Sequence, residues 1–147
     1  MSHFSFSTPV NAPPLALWSL VRDVRRVAGL FSFIAIEEFQ APEVDCWQYW
    51  RRLNIPTLSE LRWREQSEVA GDATLSFHAL EGDLSVFQGQ WVVATAGATS
   101  TLSLHIEYVI PKDVGPPVAE ALAEYVMNEL FKTICRRVKQ AAEEETA

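Results

Sequence analysis

The chain is poor in the residues on which most small-site chemistry is built. Its two cysteines, Cys46 and Cys135, stand far apart with no C-x-x-C or histidine-bearing ligand pattern beside them. That excludes a disulfide framework and a zinc motif, and reads as two reduced, buried thiols. His3, His78 and His105 are scattered along the chain, so no metal is expected. Six glycines form no phosphate-cradling loop, and there is no G-x-S-x-G, which leaves nucleotide binding and serine-hydrolase chemistry without a local motif. Positive charge is also short: 12 Lys and Arg against 19 Asp and Glu give a net −7. With Glu143-Glu144-Glu145 near the end, the chain would repel a phosphate backbone, so no nucleic-acid partner is expected. No apolar run approaches the ~20 residues of a membrane span, and the N-terminus lacks the basic and apolar segments of a signal peptide. A cytoplasmic protein with no membrane span is the expectation.

What the chain does have is pattern. At 147 residues and 48% hydrophobic it suits a single domain, residues 1–147, that buries about two thirds of its unfolded surface without staples. Residues 3–8 alternate aromatic and polar, the period of a strand with one buried face. Asn11 is a candidate cap, Pro13 and Pro14 suit a first helical turn, and Leu15, Trp18, Leu20 and Val21 give that helix an apolar side. A second short helix covers 24–28 and stops at Gly29. Strands are then predicted at 34–40, 45–53, 58–69, 73–80, 84–94 and 100–110, with turns at Ala41-Pro42, Asn54-Ile55-Pro56, Ala70-Gly71-Asp72, Glu81-Gly82-Asp83 and Ala96-Gly97-Ala98. After Gly115-Pro116-Pro117, the stripe Ala119, Leu122, Val126, Met127, Leu130, Ile134 and Val138 marks one long amphipathic helix to about Ala142. This order predicts an α+β helix-grip fold: a curved antiparallel sheet of about seven strands wrapped around the C-terminal helix, with two short helices after the first strand. One helix covers only a stripe of a wide, bent sheet, so an internal cavity is expected beside it.

Several segments resemble the START-like (SRPBCC) superfamily, particularly its polyketide cyclase/aromatase and coenzyme-Q-binding-like branches. They are Val10-Asn11-Ala12-Pro13 with Leu17-Trp18 and Arg22-Asp23-Val24, then Gly29-Leu30-Phe31-Ser32, Glu81-Gly82-Asp83, Phe87-x-Gly89-x-Trp91, and Leu104-x-Ile106-Glu107-Tyr108. The resemblance implies the same helix-grip fold and a hydrophobic, oxygen-bearing small-molecule ligand, with no cofactor. It also implies assistance to the cyclisation or dehydration of a polyketide-type intermediate, with an acyl carrier protein as a candidate partner. The cyclase pattern places a tyrosine soon after the Leu-Phe-Ser stretch and an arginine beyond the tryptophan of the fourth strand. Here Ile34 and Ser67 occupy those positions.

Candidate site residues follow from period two. If Trp63 faces inward, Glu65 and Ser67 accompany it, and Phe87, Trp91 and Val93 join from a later strand. A carboxylate among tryptophans is a candidate general acid or base. Both faces of the 45–53 strand carry an aromatic residue and an arginine, so periodicity leaves its orientation open. The preferred choice puts Tyr49, a donor to a ketone oxygen, and Arg51, a partner for an enolate or a carboxylate, inside. Tyr108, Met127 and Phe131 complete the candidate ligand contacts, with Asn128 at the cavity's edge. His78 and His105 fall on the water-facing side. Arg22, Arg25 and Arg26 read either as a solvated helix face or as a carrier-docking patch. A non-catalytic carrier of a quinone or lipid is the alternative function, and a chaperone-like interaction protein a third.

Overall fold

The computed structural model describes residues 1–55, 60–111 and 117–147, with side chains in the last segment described from Glu120 onward. The expected strand start at 58, Pro56 of the preceding turn, Gly115-Pro116 and the side chain of Ala119 lie outside these residues. Among them, the chain forms β1 (Ser2–Val10), α1 (Pro14–Val21), α2 (Val24–Ala28), β2 (Ile34–Glu43), β3 (Cys46–Asn54), β4 (Glu60–Val69), β5 (Thr74–Gly82), β6 (Phe87–Ala96), β7 (Thr99–Tyr108) and α3 (Pro117–Glu145). The seven strands make one antiparallel sheet in the order β1-β7-β6-β5-β4-β3-β2. Strands β2 to β7 follow one another as a meander. β1 returns to the far edge beside β7, and α1–α2 carry the chain across the sheet between them.

Local chemistry explains the boundaries, including those the sequence reading misplaces. The expected turn at Ala41-Pro42 is instead strand: β2 runs on to Glu43, and the hairpin turns at Val44 and Asp45, with Asp45 at φ 56°. β2 is an edge strand, where a proline removes no ladder hydrogen bond, and Pro9 sits within the other edge strand, β1, for the same reason. Likewise β5 includes Gly82, and β6 begins at Phe87 rather than at 84. Asn11 does not cap α1. The cap position is Pro13, and the Asn11 backbone N–H donates to Glu143 on α3 at 2.8 Å. The carboxylate of Asp23 caps α2 by accepting from the Arg26 N–H.

The buried stripes of the helices are rotated from the expected ones. On α1, Leu17, Leu20 and Val21 are buried, whereas Leu15 is 76% exposed because a two-residue step turns it to the opposite side. On α3 the buried stripe is Ala123, Met127, Leu130, Phe131, Cys135, Val138, Ala141 and Ala142, and Leu122 lies outside it, 53% exposed. Two core regions result. One joins α1, the end of α3 and β7 through Leu17, Leu20, Val138 and Leu102, with small Ala141 and Ala142 letting the helices approach. The other gathers aromatic rings from the strands, Phe4, Trp63, Phe77 and Phe87, around Phe131 of α3. Both cysteines are free and buried.

Gly89 sits where β6 passes close to β7. A Cβ there would lie 2.0 Å from the His105 carbonyl oxygen and 2.9 Å from Cζ of Phe77, which backs the aromatic core. No side-chain rotation relieves a contact with backbone. Gly89→Ala should therefore destabilise the protein by about 3 kcal/mol, the upper end for forcing one extra carbon into a packed core. Urea unfolding followed by tryptophan fluorescence measures this, and a loss below about 1 kcal/mol would show that the strands separate freely at this point.

Candidate functional site

The hollow lies between the inner face of the sheet, α1–α2 and α3, with a volume of about 70 Å³. Trp63, Phe77, Phe87, Trp91 and Phe131 supply its aromatic walls, and Tyr49, Arg51, Glu65 and Ser67 its polar end. It is smaller than the expected organic-guest cavity, since an apolar void of ~150 Å³ is needed to hold benzene and drug-sized sites span ~300–1,000 Å³. A guest must displace wall side chains as it enters.

Period two places β4 as read: Trp63 is 1% exposed and both Glu65 and Ser67 are 2% exposed. For β3, the ambiguous strand, Tyr49 is fully inside at 1% exposed and the Arg51 side chain is 19% exposed. Register makes this so. Tyr49 pairs directly with Glu65 across the β3–β4 ladder, and residues opposite each other share a face. Tyr108 and Met127, expected as ligand contacts, do not line the hollow. The Tyr108 hydroxyl donates to Asn128 Oδ1 at 2.8 Å, so half-buried Asn128 is a partner of Tyr108 rather than a cavity edge, and Met127 is packed in the aromatic core. Sequence reading missed the opposite wall, formed by Val21, Val24 and Val27 of α1–α2 with Ile34 of β2. Their three-residue spacing was the available signal.

The polar end is a closed set of hydrogen bonds. The Glu65 carboxylate accepts from three donors: the Tyr49 hydroxyl, Arg51 Nη2 at 3.1 Å and Trp63 Nε1 at 3.0 Å. Tyr49 also bonds Ser67 Oγ and lies 3.4 Å from Arg51 Nη2. A carboxylate paired with a guanidinium only accepts, so the single Tyr49 proton points to Glu65, and Ser67 donates to the phenol oxygen. Tyr49 therefore has no proton free for a ketone, contrary to its expected role. Burial, reinforced by the Glu65 charge, pushes the Tyr49 phenol pKa upward although Arg51 opposes it. Burial alone would lower the Arg51 pKa, but Glu65 and Tyr49 outweigh it and raise it, so this guanidinium stays charged. Arg51 Nε is buried and has no partner among the described residues. It is the open donor of the cluster.

Ile34 and Ser67, the positions at which the cyclase pattern has tyrosine and arginine, both line the hollow. β3 lies between their two strands and brings a phenol and a guanidinium to the same end from Tyr49 and Arg51. Beyond the hollow, α1–α2 is tied to the β2–β3 hairpin. Arg22 forms an ion pair with Asp45 and lies over the rings of Trp18 and Trp47 at 6.0 and 5.8 Å. Arg25 sits 4.1 Å over Phe39, which stacks on Tyr49. Arg26 pairs with Glu145. These three arginines are thus engaged within the chain. His78 and His105 lie on the outer sheet face, where His105 bonds Ser5. Among the described residues no group of three or more His, Cys, Asp or Glu could hold a metal, and no helix is long and apolar enough to cross a membrane.

Burial also pushes the Tyr108 phenol up, to about 12, with the Glu124 charge adding to the effect. A phenol whose folded pKa is raised contributes stability that is complete below the unfolded value near 10 and is lost as pH climbs through the folded one. Tyr108→Phe should therefore lessen the loss of unfolding free energy between pH 9 and 11 by about 1 kcal/mol relative to the unsubstituted protein. An identical alkaline profile in chemical denaturation would show that the hydroxyl ionises freely in the fold.

No family model and no curated protein matches the chain. Solved structures do. A protein of Thermus thermophilus superposes with a TM-score of 0.87 at 17% identity, covering 99% of this chain and 100% of that one. The Zhui aromatase/cyclase from Streptomyces sp. R1128 gives 0.87 at 17% identity, covering 99% and 96%. A START superfamily protein from Mycobacterium smegmatis gives 0.71 at 12% identity, covering 98% and 99%. With the curved seven-stranded sheet and long C-terminal helix, this likeness shows that the chain has the START-like helix-grip fold.

Proposed function

We propose that the hollow binds a hydrophobic, oxygen-bearing small molecule and assists cyclisation and dehydration of a polyketide-type intermediate. The observation that carries this reading is the unpartnered Nε of Arg51, a buried cationic donor in the polar cluster of a hollow whose other walls are aromatic and aliphatic. An unmet buried donor is costly, and a ligand carbonyl oxygen removes that cost by accepting from it. Enclosure would hold a flexible chain folded, and Arg51 would stabilise the oxygen on which negative charge develops.

Glu65 is the candidate base. Three of about four acceptor sites on its carboxylate are occupied, which leaves one on Oε1. In an aldol closure that site takes a proton from a methylene flanked by carbonyls. The resulting carbanion forms the new C–C bond as the ketone π electrons move to the oxygen held by Arg51, and the proton returns to that oxygen. Loss of water then gives the dehydrated ring. Tyr49 and Trp63 act here by holding the carboxylate, and Trp63, Ser67, Phe87, Trp91 and Phe131 by contact with the guest. The fold likeness to an aromatase/cyclase supports the reaction class. An acyl carrier protein remains the candidate source of a thioester-bound chain, although Arg22 and Arg26 are already paired.

A quinone or lipid carrier is the second reading, and the self-satisfied state of Tyr49 favours it. Incubation with a synthetic poly-β-ketone thioester separates the two. Cyclised product should fall about 100-fold in Arg51→Lys, which keeps the charge but lacks the Nε donor, the loss typical of one oxyanion donor. Unchanged turnover removes Arg51 from the mechanism. Tight binding without turnover by the unsubstituted protein establishes the carrier.

A further inference from the structure

We infer that the hollow selects neutral carbonyl compounds against carboxylates, and that Glu65 is the residue that sets this selectivity. The inference rests on the binding reading above and names its ligand class more closely. A lone arginine in an apolar pocket would call for an anionic guest. Here the counter-ion comes from the chain itself: Arg51 and Glu65 are the charged residues lining the hollow, and they are paired at 3.1 Å. Their charges cancel, and the site presents a hydrogen-bond donor without a net positive field.

The pair is difficult for a ligand to break. Glu65 is 2% exposed, its cross-strand partner Tyr49 donates to it, and the indole of Trp63 donates to its other oxygen. A guest carboxylate that displaced Glu65 from Arg51 would leave a buried anion without its cation, the most expensive outcome available to such a pair. A carboxylate that instead accepted from Arg51 Nε would add a second negative charge close to the first. The shape of a guanidinium puts an oxygen on Nε no farther than roughly 6 Å from a carboxylate on Nη2, and at an effective dielectric of about 20 that repulsion corresponds to roughly 100-fold or more in affinity. A ketone oxygen accepts the same N–H with no charge to oppose. It satisfies the buried donor that the cluster leaves unmet.

Acetophenone and benzoate test this, because they share a ring and nearly a shape and differ in charge. Titrated at pH 7 with chemical shifts of hollow residues as the readout, acetophenone should bind the unsubstituted protein at least ~10-fold more tightly than benzoate. Glu65→Gln removes the internal counter-ion and should move that ratio toward benzoate by ~30-fold or more. Since the new amide can face the Trp63 N–H donor to donor, Trp63→Phe with Glu65→Gln provides a second background, and thermal unfolding verifies that each variant folds. Equal affinities in the unsubstituted protein, or a ratio that moves in neither folded variant, overturn the selectivity and leave hollow binding intact. If neither probe shifts the hollow's resonances in the unsubstituted protein, the binding reading fails with it. The unsubstituted ratio decides the matter even where both variants unfold.

Discussion

A single helix cannot cover seven strands, and the rest of the structure follows from that shortfall. α3 lies against β1, β7 and α1, so the inner face of the sheet towards β3 and β4 has no helix of that length to pack on. The short α1–α2 segment bridges part of the gap with Val21, Val24 and Val27. What remains is a small hollow, and the inward positions at its β3–β4 end, residues 49, 51, 65 and 67, are polar. Water cannot satisfy them as it would on an open face. They satisfy one another, and cross-strand register brings them close enough to do so.

A buried ion pair is seldom a net source of stability. Desolvating a guanidinium and a carboxylate costs several kcal/mol for each ion, about what their attraction and hydrogen bonds return, and apolar side chains of equal volume do as well. What the cluster supplies is position. Glu65 fixes Arg51 through Nη2, Tyr49 and Trp63 fix Glu65, and Ser67 completes Tyr49, so the guanidinium is held with Nε unspent at the polar end of an aromatic hollow. Phe39 stacks on the ring of Tyr49 and Arg25 covers Phe39 from α2, which links the wall across the hollow to the same phenol. Entry of a guest would disturb that stack and the polar set together.

Much of the fold was legible because period and punctuation survive in sequence. Leu102, Leu104, Ile106 and Tyr108 alternate with Ser103, His105 and Glu107, and the structure buries the first set. The β2 boundary was misread because proline stops an interior strand but not an edge one, and edge position is a property of the finished sheet. The facing of β3 was not legible from β3 itself, since Trp47, Tyr49 and Arg51 on one side mirror Trp50 and Arg52 on the other. Register against Glu65 decided it. Tyr108 has the correct face but the wrong neighbours: beneath it lie Phe131 and Asn128 rather than open volume. The size of the hollow was beyond reach because it depends on how Trp63, Phe77 and Phe87 tilt against one another, which no spacing encodes. α2, five residues long, is too short to show a period of its own.

The most direct test of the account is the side-chain ¹H–¹⁵Nε resonance of Arg51 as acetophenone is added. If the hollow admits an organic guest whose oxygen accepts from that buried N–H, its proton moves downfield and its exchange with water slows, with the shift saturating along the same curve as the indole resonances of Trp63 and Trp91. An Arg51 Nε–H resonance that stays in place while the guest binds would show that the buried guanidinium is a brace for the sheet and not the group that receives the ligand.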